Sequence, residues 1–439
     1  MTATYDPTDP KYFDPAALRD EVDRVFDLCH GCRLCFNLCP SFPTLFGFID
    51  ANDGDVSGLS DAERGQVVDE CYQCKLCYVK CPYVPPHEWE LDFPRLMSRV
   101  HAVRQKQLVG VKERLTDQFL GRTDALGLAS VAAAPVVNWA TGTPGSLPRR
   151  IMEKATGIAS QRLLPPYARQ RFTTWFKKRR GPAAAPMDVG AVSVFPTCFV
   201  EYMEPEVGRA IVEVYEHNGV ACSLPDGTKC CGAPWLHSGR VDEFTKSARR
   251  NVAALAAEVR AGRDVIVAQP TCAYVVKRDY PIYAKGPDAD LVAAHTFDPA
   301  EYLMRRHRDA DDPFTLRDEF PGRADGSVPD AVTYHVACHL LAQNAGLRSR
   351  DLLKTAGVKC SIVQRCSGID GTWGYRSENY ELARQVAAPL GREIVAAGNE
   401  TVCGDCHLAN GSILQETGTQ PVHPMQLMAR AYGVERGSG

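Results

Sequence analysis

Beyond Pro186 the chain alternates short β-branched, apolar runs with longer stretches whose apolar positions recur at helical spacing, a pattern that predicts strands alternating with helices. A strand ending at Pro196-Thr197-Cys198 leads into an amphipathic helix over 206–217. Gly219-Val220-Ala221-Cys222-Ser223 and the loop Cys230-Cys231-Gly232 follow. A long amphipathic pattern over 241–261 precedes a strand over 264–267 and then Gln269-Pro270-Thr271-Cys272. The same order then returns. It runs through Thr333-Tyr334-His335-Val336-Ala337-Cys338, Gly357-Val358-Lys359-Cys360-Ser361 and Cys366-Ser367-Gly368, then a helical pattern over 377–397 and Thr401-Val402-Cys403-Gly404-Asp405-Cys406. A unit repeated in this way predicts two α/β domains with their cysteines at the carboxyl ends of parallel strands, the edge where such sheets bind ligands. Gly232, Gly368, Gly371 and Gly374 would let the backbone approach a bulky group there.

The N-terminal part has another texture. Helices expected over 20–35 and 69–77 start two copies of one spacing, Cys29-x-x-Cys32-x-x-Cys35-x-x-x-Cys39-Pro40 and Cys71-x-x-Cys74-x-x-Cys77-x-x-x-Cys81-Pro82. Iron in a [4Fe-4S] cube takes one thiolate per corner. Three cysteines at intervals of three wind around one cube, while the fourth reaches the neighbouring one. The crossed pattern assigns Cys29, Cys32, Cys35 and Cys81 to the first cluster and Cys71, Cys74, Cys77 and Cys39 to the second. Pro40 and Pro82 are expected to end helices. The long spacer between the motifs favours a mainly helical two-cluster domain over the compact bacterial ferredoxin. Disulfides would require an oxidising compartment, and zinc would take four ligands at looser spacing. His30 sits inside a complete cysteine set and is not expected to be a ligand.

Eighteen cysteines in 439 residues, with no secretory pattern in the polar, acidic stretch 1–14, imply thiolate ligation in the cytoplasm. No apolar run reaches the roughly 20 residues of a spanning helix. The stretch 125–140 comes closest and is interrupted by Pro135 and Asn138. Charge is balanced overall, 50 basic residues against 53 acidic, yet 149–180 holds ten basic residues and one acidic residue, Glu153. There Arg169, Arg171, Lys177, Lys178, Arg179 and Arg180 surround Phe172, Trp175 and Phe176. This is the composition of a solvated helix face, of a peripheral contact with the cytoplasmic side of a membrane, or of a dock for an acidic partner. No nucleic-acid reading motif accompanies it, and no nucleic-acid partner is expected. Gly181 to Pro186 reads as a linker. The expected organisation is α+β and multidomain: a two-cluster ferredoxin domain over 1–95, a basic helical connector over 96–190, and cysteine-rich domains over 191–300 and 325–439.

At Cys198, Cys230-Cys231-Gly232, Cys366-Ser367-Gly368 and Cys403-x-x-Cys406 the chain resembles the duplicated cysteine-rich (CCG) domain of heterodisulfide reductase. The full arrangement, ferredoxin first and two cysteine-rich domains after, resembles the family of the iron-sulfur subunit of anaerobic glycerol-3-phosphate dehydrogenase and related iron-sulfur oxidoreductases. In the reductase, five cysteines of each motif hold a noncubane [4Fe-4S] cluster at which disulfide chemistry occurs. The resemblance therefore implies one or two further clusters, one at Cys198, Cys230, Cys231 and Cys272, the other at Cys338, Cys366, Cys403 and Cys406. Each copy departs from the motif: Gln269 stands for a cysteine in the first, and Ser367 does so in the second. Cys222 and Cys360 either supply a fifth thiolate or are small apolar residues at strand ends. His335, His339 and His407 either tune or protonate such a site, or satisfy local carbonyls.

The function expected is that of an iron-sulfur electron-transfer oxidoreductase subunit, passing electrons from a flavoprotein dehydrogenase to an acceptor such as quinone. One alternative is a disulfide or heterodisulfide reductase with catalysis at a CCG-domain cluster. The other is a ferredoxin on a structural scaffold that binds zinc or no metal. No Gly-x-Gly-x-x-Gly follows a strand and opens a helix, so flavin or nicotinamide is expected on a separate subunit.

Overall fold

The computed structural model of the chain describes residues 5–107, 111–179, 189–369 and 371–434. Arg180 and the expected linker at 181–186 lie outside the described residues. The architecture is α+β: a helical N-terminal part followed by two small parallel sheets covered by helices.

In the N-terminal part, helix Pro15–Cys32 starts at Asp14, whose carboxylate accepts the Ala17 N–H at 2.7 Å. It ends at Arg33, held in the left-handed region at φ 53°. Helices Ser41–Ala51, Asp61–Asp69, Leu76–Lys80 and Phe93–Gln107 complete this part. Phe26, Phe42, Phe46, Val67, Phe93 and Met97 close a core to which the Cys71 and Cys77 side chains belong.

The two motifs do not fold alike. Cys29 and Cys32 lie in the last turn of a helix, whereas the helix expected over 69–77 does not form. The chain leaves Asp61–Asp69 and turns at Gln73 and Lys75, with φ of 60° and 65°, before it becomes helical again at Leu76. Left-handed residues between ordinary ones let the loop wrap its N–H groups around a centre, which a continuous helix cannot do. Pro40 likewise opens a helix instead of ending one. At φ −59° it precedes Ser41–Ala51, where a fixed φ and a missing N–H cost nothing.

The first repeat holds parallel strands β1 (Ala191–Phe195), β2 (Ala221–Ser223), β3 (Asp264–Val267) and β4 (Thr296–Phe297) in the order β2-β1-β3-β4. The second holds β5 (Ala331–His335), β6 (Lys359–Val363) and β7 (Val402–Gly404), also parallel, in the order β6-β5-β7. Every residue of β1 is buried, as expected for a parallel strand covered on both faces. The expected amphipathic patterns form helices Pro205–His217, Val241–Arg260 and Tyr380–Ala396. One hydrophobic cluster runs through both repeats, joining Val192, Val194 and Tyr215 to Val332, Tyr334 and Met425.

The basic stretch divides between interior and surface: Arg149 and Arg162 are buried, whereas Arg150, Lys154, Arg169, Lys177 and Lys178 are exposed. Arg149 is fully buried, and its guanidinium donates to the carbonyls of Thr141, Ala159 and Arg162 at 2.9, 2.7 and 2.8 Å. In helix Phe172–Lys178, Phe172 is buried, Trp175 and Phe176 pack against the shared core, and Arg179 lies 3.6 Å over the Phe176 ring. The exposed apolar surface lies upstream instead, on helices Ala134–Thr141 and Leu147–Thr156. Val136, Trp139, Leu147 and Ile151 stand out there, Trp139 with 74% of its surface free. Among the described residues no helix is long and apolar enough to cross a membrane.

Candidate iron-sulfur centres

Each ferredoxin motif surrounds a hollow, and measured out to their open mouths the two are of similar size, about 310 and 290 Å³. The first is lined by Cys29, Cys32, Cys35 and Cys81 with Phe46 and Leu91. The second is lined by Cys39, Cys71, Cys74 and Cys77 with Leu38 and Phe93. The fourth cysteine of each motif thus stands in the other motif's hollow, and Phe42 forms part of the wall of both. Among the described residues no group of three His, Cys, Asp or Glu side chains is arranged to hold a single metal ion. The thiols instead line two separate hollows, four to each. Burial pushes Cys35 up to about 11 and Cys39, Cys74 and Cys77 well above the ordinary thiol range. In such apolar surroundings a set of thiolates needs the positive charge of bound iron. The hollows differ in depth: Cys32 is exposed, while Cys71, Cys74 and Cys77 are buried.

The first repeat gathers four cysteines from three segments. Cys198 opens helix Cys198–Tyr202, Cys230 and Cys231 occupy a loop, and Cys272 lies on helix Pro270–Tyr274. The loop is fixed by Asn251, fully buried, which accepts from Lys229 N–H at 2.8 Å and donates to the Cys230 carbonyl at 3.1 Å. The Tyr280 hydroxyl, which takes a hydrogen bond from the Asn251 amide, donates to the Cys231 carbonyl at 2.9 Å. Gly232 follows at φ 89°, where a Cβ would lie 2.8 Å from the Phe244 ring. Hydrogen bonds from Cys198 and Cys231 hold the Cys230 sulfur well below the usual thiol range, with the Gly232 N–H also contributing. Cys231 is pushed up by its hydrogen bonds to Cys230 and Cys272, so the four sulfurs form one connected set. The connector contributes as well: Asp124 accepts the Cys230 N–H at 2.9 Å.

The second repeat differs from its expected set. Phe195 pairs with Val267 across β1 and β3, and His335 pairs with Gly404 across β5 and β7. From these equivalent points the chains run in step. Gln269 and Cys406 both cap the next helix, and Cys272 and Ala409 are both third residues of those helices. Cys406 therefore matches Gln269, and Ala409 matches Cys272. Cys403, expected as a ligand, lies inside β7 opposite Tyr334, the place Ile266 takes opposite Val194. It is fully buried, and its polar neighbours are Asp405 and Cys360. A Cys-x-x-Cys spacing cannot tell two ligands from a strand residue plus a cap, whereas the register does. Three thiols remain at this edge, Cys338, Cys366 and Cys406, with Ser367 and Ala409 where two others would stand. Cys222 and Cys360 lie within β2 and β6, packed against the shared core.

This edge is built between domains. The Tyr72 hydroxyl hydrogen-bonds to Cys366, and Cys74 has Cys366 and Cys338 as its foremost charged neighbours. Trp373 donates to the Asp69 carbonyl at 2.7 Å and packs at a tilt against Tyr72, 5.1 Å between ring centres. From the first repeat, the Gln269 amide donates to Cys406 Sγ at 3.2 Å and its carbonyl accepts the His407 N–H at 3.1 Å. Of the histidines, His335 bonds the Arg365 carbonyl at 2.9 Å and His407 meets Glu204 at 2.6 Å. His339 alone lies against a cysteine sulfur, 3.7 Å from Cys338, and also meets Thr271 at 3.2 Å. His30 is paired with Asp50 at 2.9 Å. Sequence reasoning missed Asp124 and Asn251, and it noted Gln269 only as a departure from the motif without its contact to Cys406. Asn251 left one trace, a polar residue on the apolar face of a helical pattern.

Residues 21–82 match the family described as 4Fe-4S dicluster domain, and residues 192–277 and 332–409 match the family described as cysteine-rich domain. The C subunit of anaerobic glycerol-3-phosphate dehydrogenase from Escherichia coli (strain K12) is 29% identical over 320 residues, which cover 72% of this chain and 77% of the relative. The B subunit of fumarate reductase (CoM/CoB) from Methanothermobacter marburgensis is 28% identical over 54% of this chain and 45% of its own length. Lactate utilization protein A of an Exiguobacterium species is 26% identical over 56% of this chain and 97% of its own length. With its dicluster domain followed by two cysteine-rich domains, the chain carries both matched domain types and is a homologue of the C subunit of anaerobic glycerol-3-phosphate dehydrogenase.

Proposed function

We propose that this chain is an electron-transfer subunit that accepts electrons from a flavoprotein dehydrogenase at its outer cluster and delivers them, through its inner cluster, to an acceptor such as a quinone. The observation that carries this reading is the unequal depth of the two hollows. The outer one reaches the surface at Cys32, beside the exposed Leu34, Phe36 and Val79, a small apolar face suited to a docking flavoprotein. The inner one is walled by the seam with the second repeat, at Tyr72 and Cys74. When bound, the clusters supply one-electron transfer. The chain would seat them in adjacent hollows that share Phe42 and would bury the inner one more deeply than the outer. Cys29, Cys32, Cys35 and Cys81 hold the outer cluster, and Cys39, Cys71, Cys74 and Cys77 the inner. Cys198, Cys230, Cys231 and Cys272 hold a third.

On this reading the second repeat, with Cys338, Cys366 and Cys406, is a docking wall and carries no fourth cluster. Iron and acid-labile sulfide measured on anaerobically purified protein test the count. About twelve irons per chain is the expected content, falling to about eight in Cys230→Ser/Cys231→Ser with the ferredoxin EPR signals intact. About sixteen irons would place a cluster in the second repeat as well, and about eight in the parent would leave the first repeat empty. The surface of Val136, Trp139, Leu147 and Ile151, flanked by the exposed Arg150 and Lys154, supports peripheral contact with an anionic membrane.

A further inference from the structure

A hollow of about 1580 Å³, measured out to its open mouth, lies where the ferredoxin domain meets both repeats. Its wall includes Cys71 of the inner cluster motif, Tyr72, His101, His237, Thr372 and Trp373. The charged groups around it neutralise one another. Arg104 holds Asp69 at 2.6 Å, Arg376 holds Asp117, and Gln105 also donates to Asp117. Among the described residues of this wall an anionic ligand would find no unpaired cation.

The two imidazoles are a different matter. Enclosure by protein pushes His101 down to about 3 and His237 well below the ordinary histidine range, so both are neutral. Among the described residues neither has a hydrogen-bond partner, yet both face the hollow. A neutral imidazole presents one donor and one acceptor, and two of them left unsatisfied beside a cavity call for a ligand with oxygens. The wall is shaped around them. Gly371, at φ 52°, brings the Trp373 loop so close that a Cβ there would lie 2.6 Å from His237 Nδ1. Trp373, packed at a tilt against Tyr72 and anchored to the Asp69 carbonyl, adds an apolar ring to the wall that holds Cys71.

We propose that this hollow is the site where the acceptor is reduced, and that it takes an uncharged, planar, quinone-type ring, seated on Trp373 with its oxygens against His101 and His237. The inference rests on the electron-transfer reading above and adds the place and the binding residues. The ring would take up two electrons, supplied one at a time from the reduced flavoprotein by the cluster that Cys39, Cys71, Cys74 and Cys77 would hold, and two protons from solvent at the mouth, so that its two C=O groups become C–OH.

The test uses full-length, cluster-loaded protein, reduced with dithionite and reoxidised by menadione, with ferricyanide as an acceptor that needs no pocket. In His101→Ala/His237→Ala the menadione half-saturation concentration rises roughly a hundredfold, about tenfold for each hydrogen bond lost, with iron content and ferricyanide rate unchanged. Thr372→Trp, which narrows the hollow while keeping both imidazoles in the chain, gives the same loss and separates the site from a folding defect in the double variant. Parental half-saturation in both variants overturns the site while leaving electron transfer standing. A parent that ferricyanide reoxidises but menadione does not overturns the quinone class. A parent that holds iron and is reoxidised by neither overturns the electron-transfer reading itself.

Discussion

Arg149 shows what a single buried cation does in this chain. Its guanidinium gathers three backbone carbonyls of the connector, two of which, at Ala159 and Arg162, belong to a segment without helix or strand. Arg149→Leu leaves these acceptors without a donor and lowers the unfolding free energy by about 2–4 kcal/mol, read as a shift in urea midpoint at constant slope. Arg150→Leu next to it, on the exposed side, shifts little. The eight ferredoxin cysteines were legible in the sequence because their spacing is itself the geometry of the loop. Cys403 was not, because local spacing is silent about which face of a strand a residue occupies. The partner of Gln269 was invisible, since the sulfur it meets lies 137 residues further along the chain. The same register predicts that Ser367→Cys/Ala409→Cys gains about four irons per chain over the parent, counted by iron and sulfide assay. No gain would show that the second edge is shaped against a cluster by more than its missing thiols.

At the scale of elements, helix Pro299–Arg308 carries a carboxyl with an unusual task. Asp298 caps it, is almost fully buried, and accepts from Gln343 at 3.1 Å. Burial pushes its carboxyl up to about 8, against the partial opposition of Lys277. The folded chain thus keeps a proton there that the unfolded chain gives up near pH 4. Folding stability contributed by this group is complete at low pH and is lost progressively as pH rises from about 4 towards 8. Asp298→Asn retains a capping side chain and has no proton to lose, so its stability relative to the parent grows over that window. Thermal melts at pH 5 and pH 8 check it, and an equal difference at both would refute it. Strands and long amphipathic helices were readable because burial imposes a period. The coil from Cys71 to Lys75 was not, because what orders it is a centre to wrap around and not a face to bury.

For the molecule as a whole, the clusters and the fold depend on each other. Cys71 and Cys77 are part of the ferredoxin core, so stripping iron with a chelator leaves ringed hollows and lowers the melting temperature of that part by several degrees, while the first-repeat core, built on Val265, Leu255 and Tyr280, melts later. Separate transitions in calorimetry are the expected result. The apolar surface of the connector belongs to this scale too: Trp139→Glu/Ile151→Glu reduces the fraction that sediments with vesicles containing anionic lipid by at least tenfold, as expected if two apolar anchors are exchanged for charges (order of magnitude). Undiminished sedimentation would assign that surface to a protein. The amide of Gln269 resting on the sulfur of Cys406 has a consequence for ancestry. Two identical copies would set the same residue against itself across that seam, thiol on thiol or amide on amide. Each copy has instead given up a different member of the pair, so the duplicates now complement each other as unlike halves, and exchanging one for a second copy of the other would restore neither.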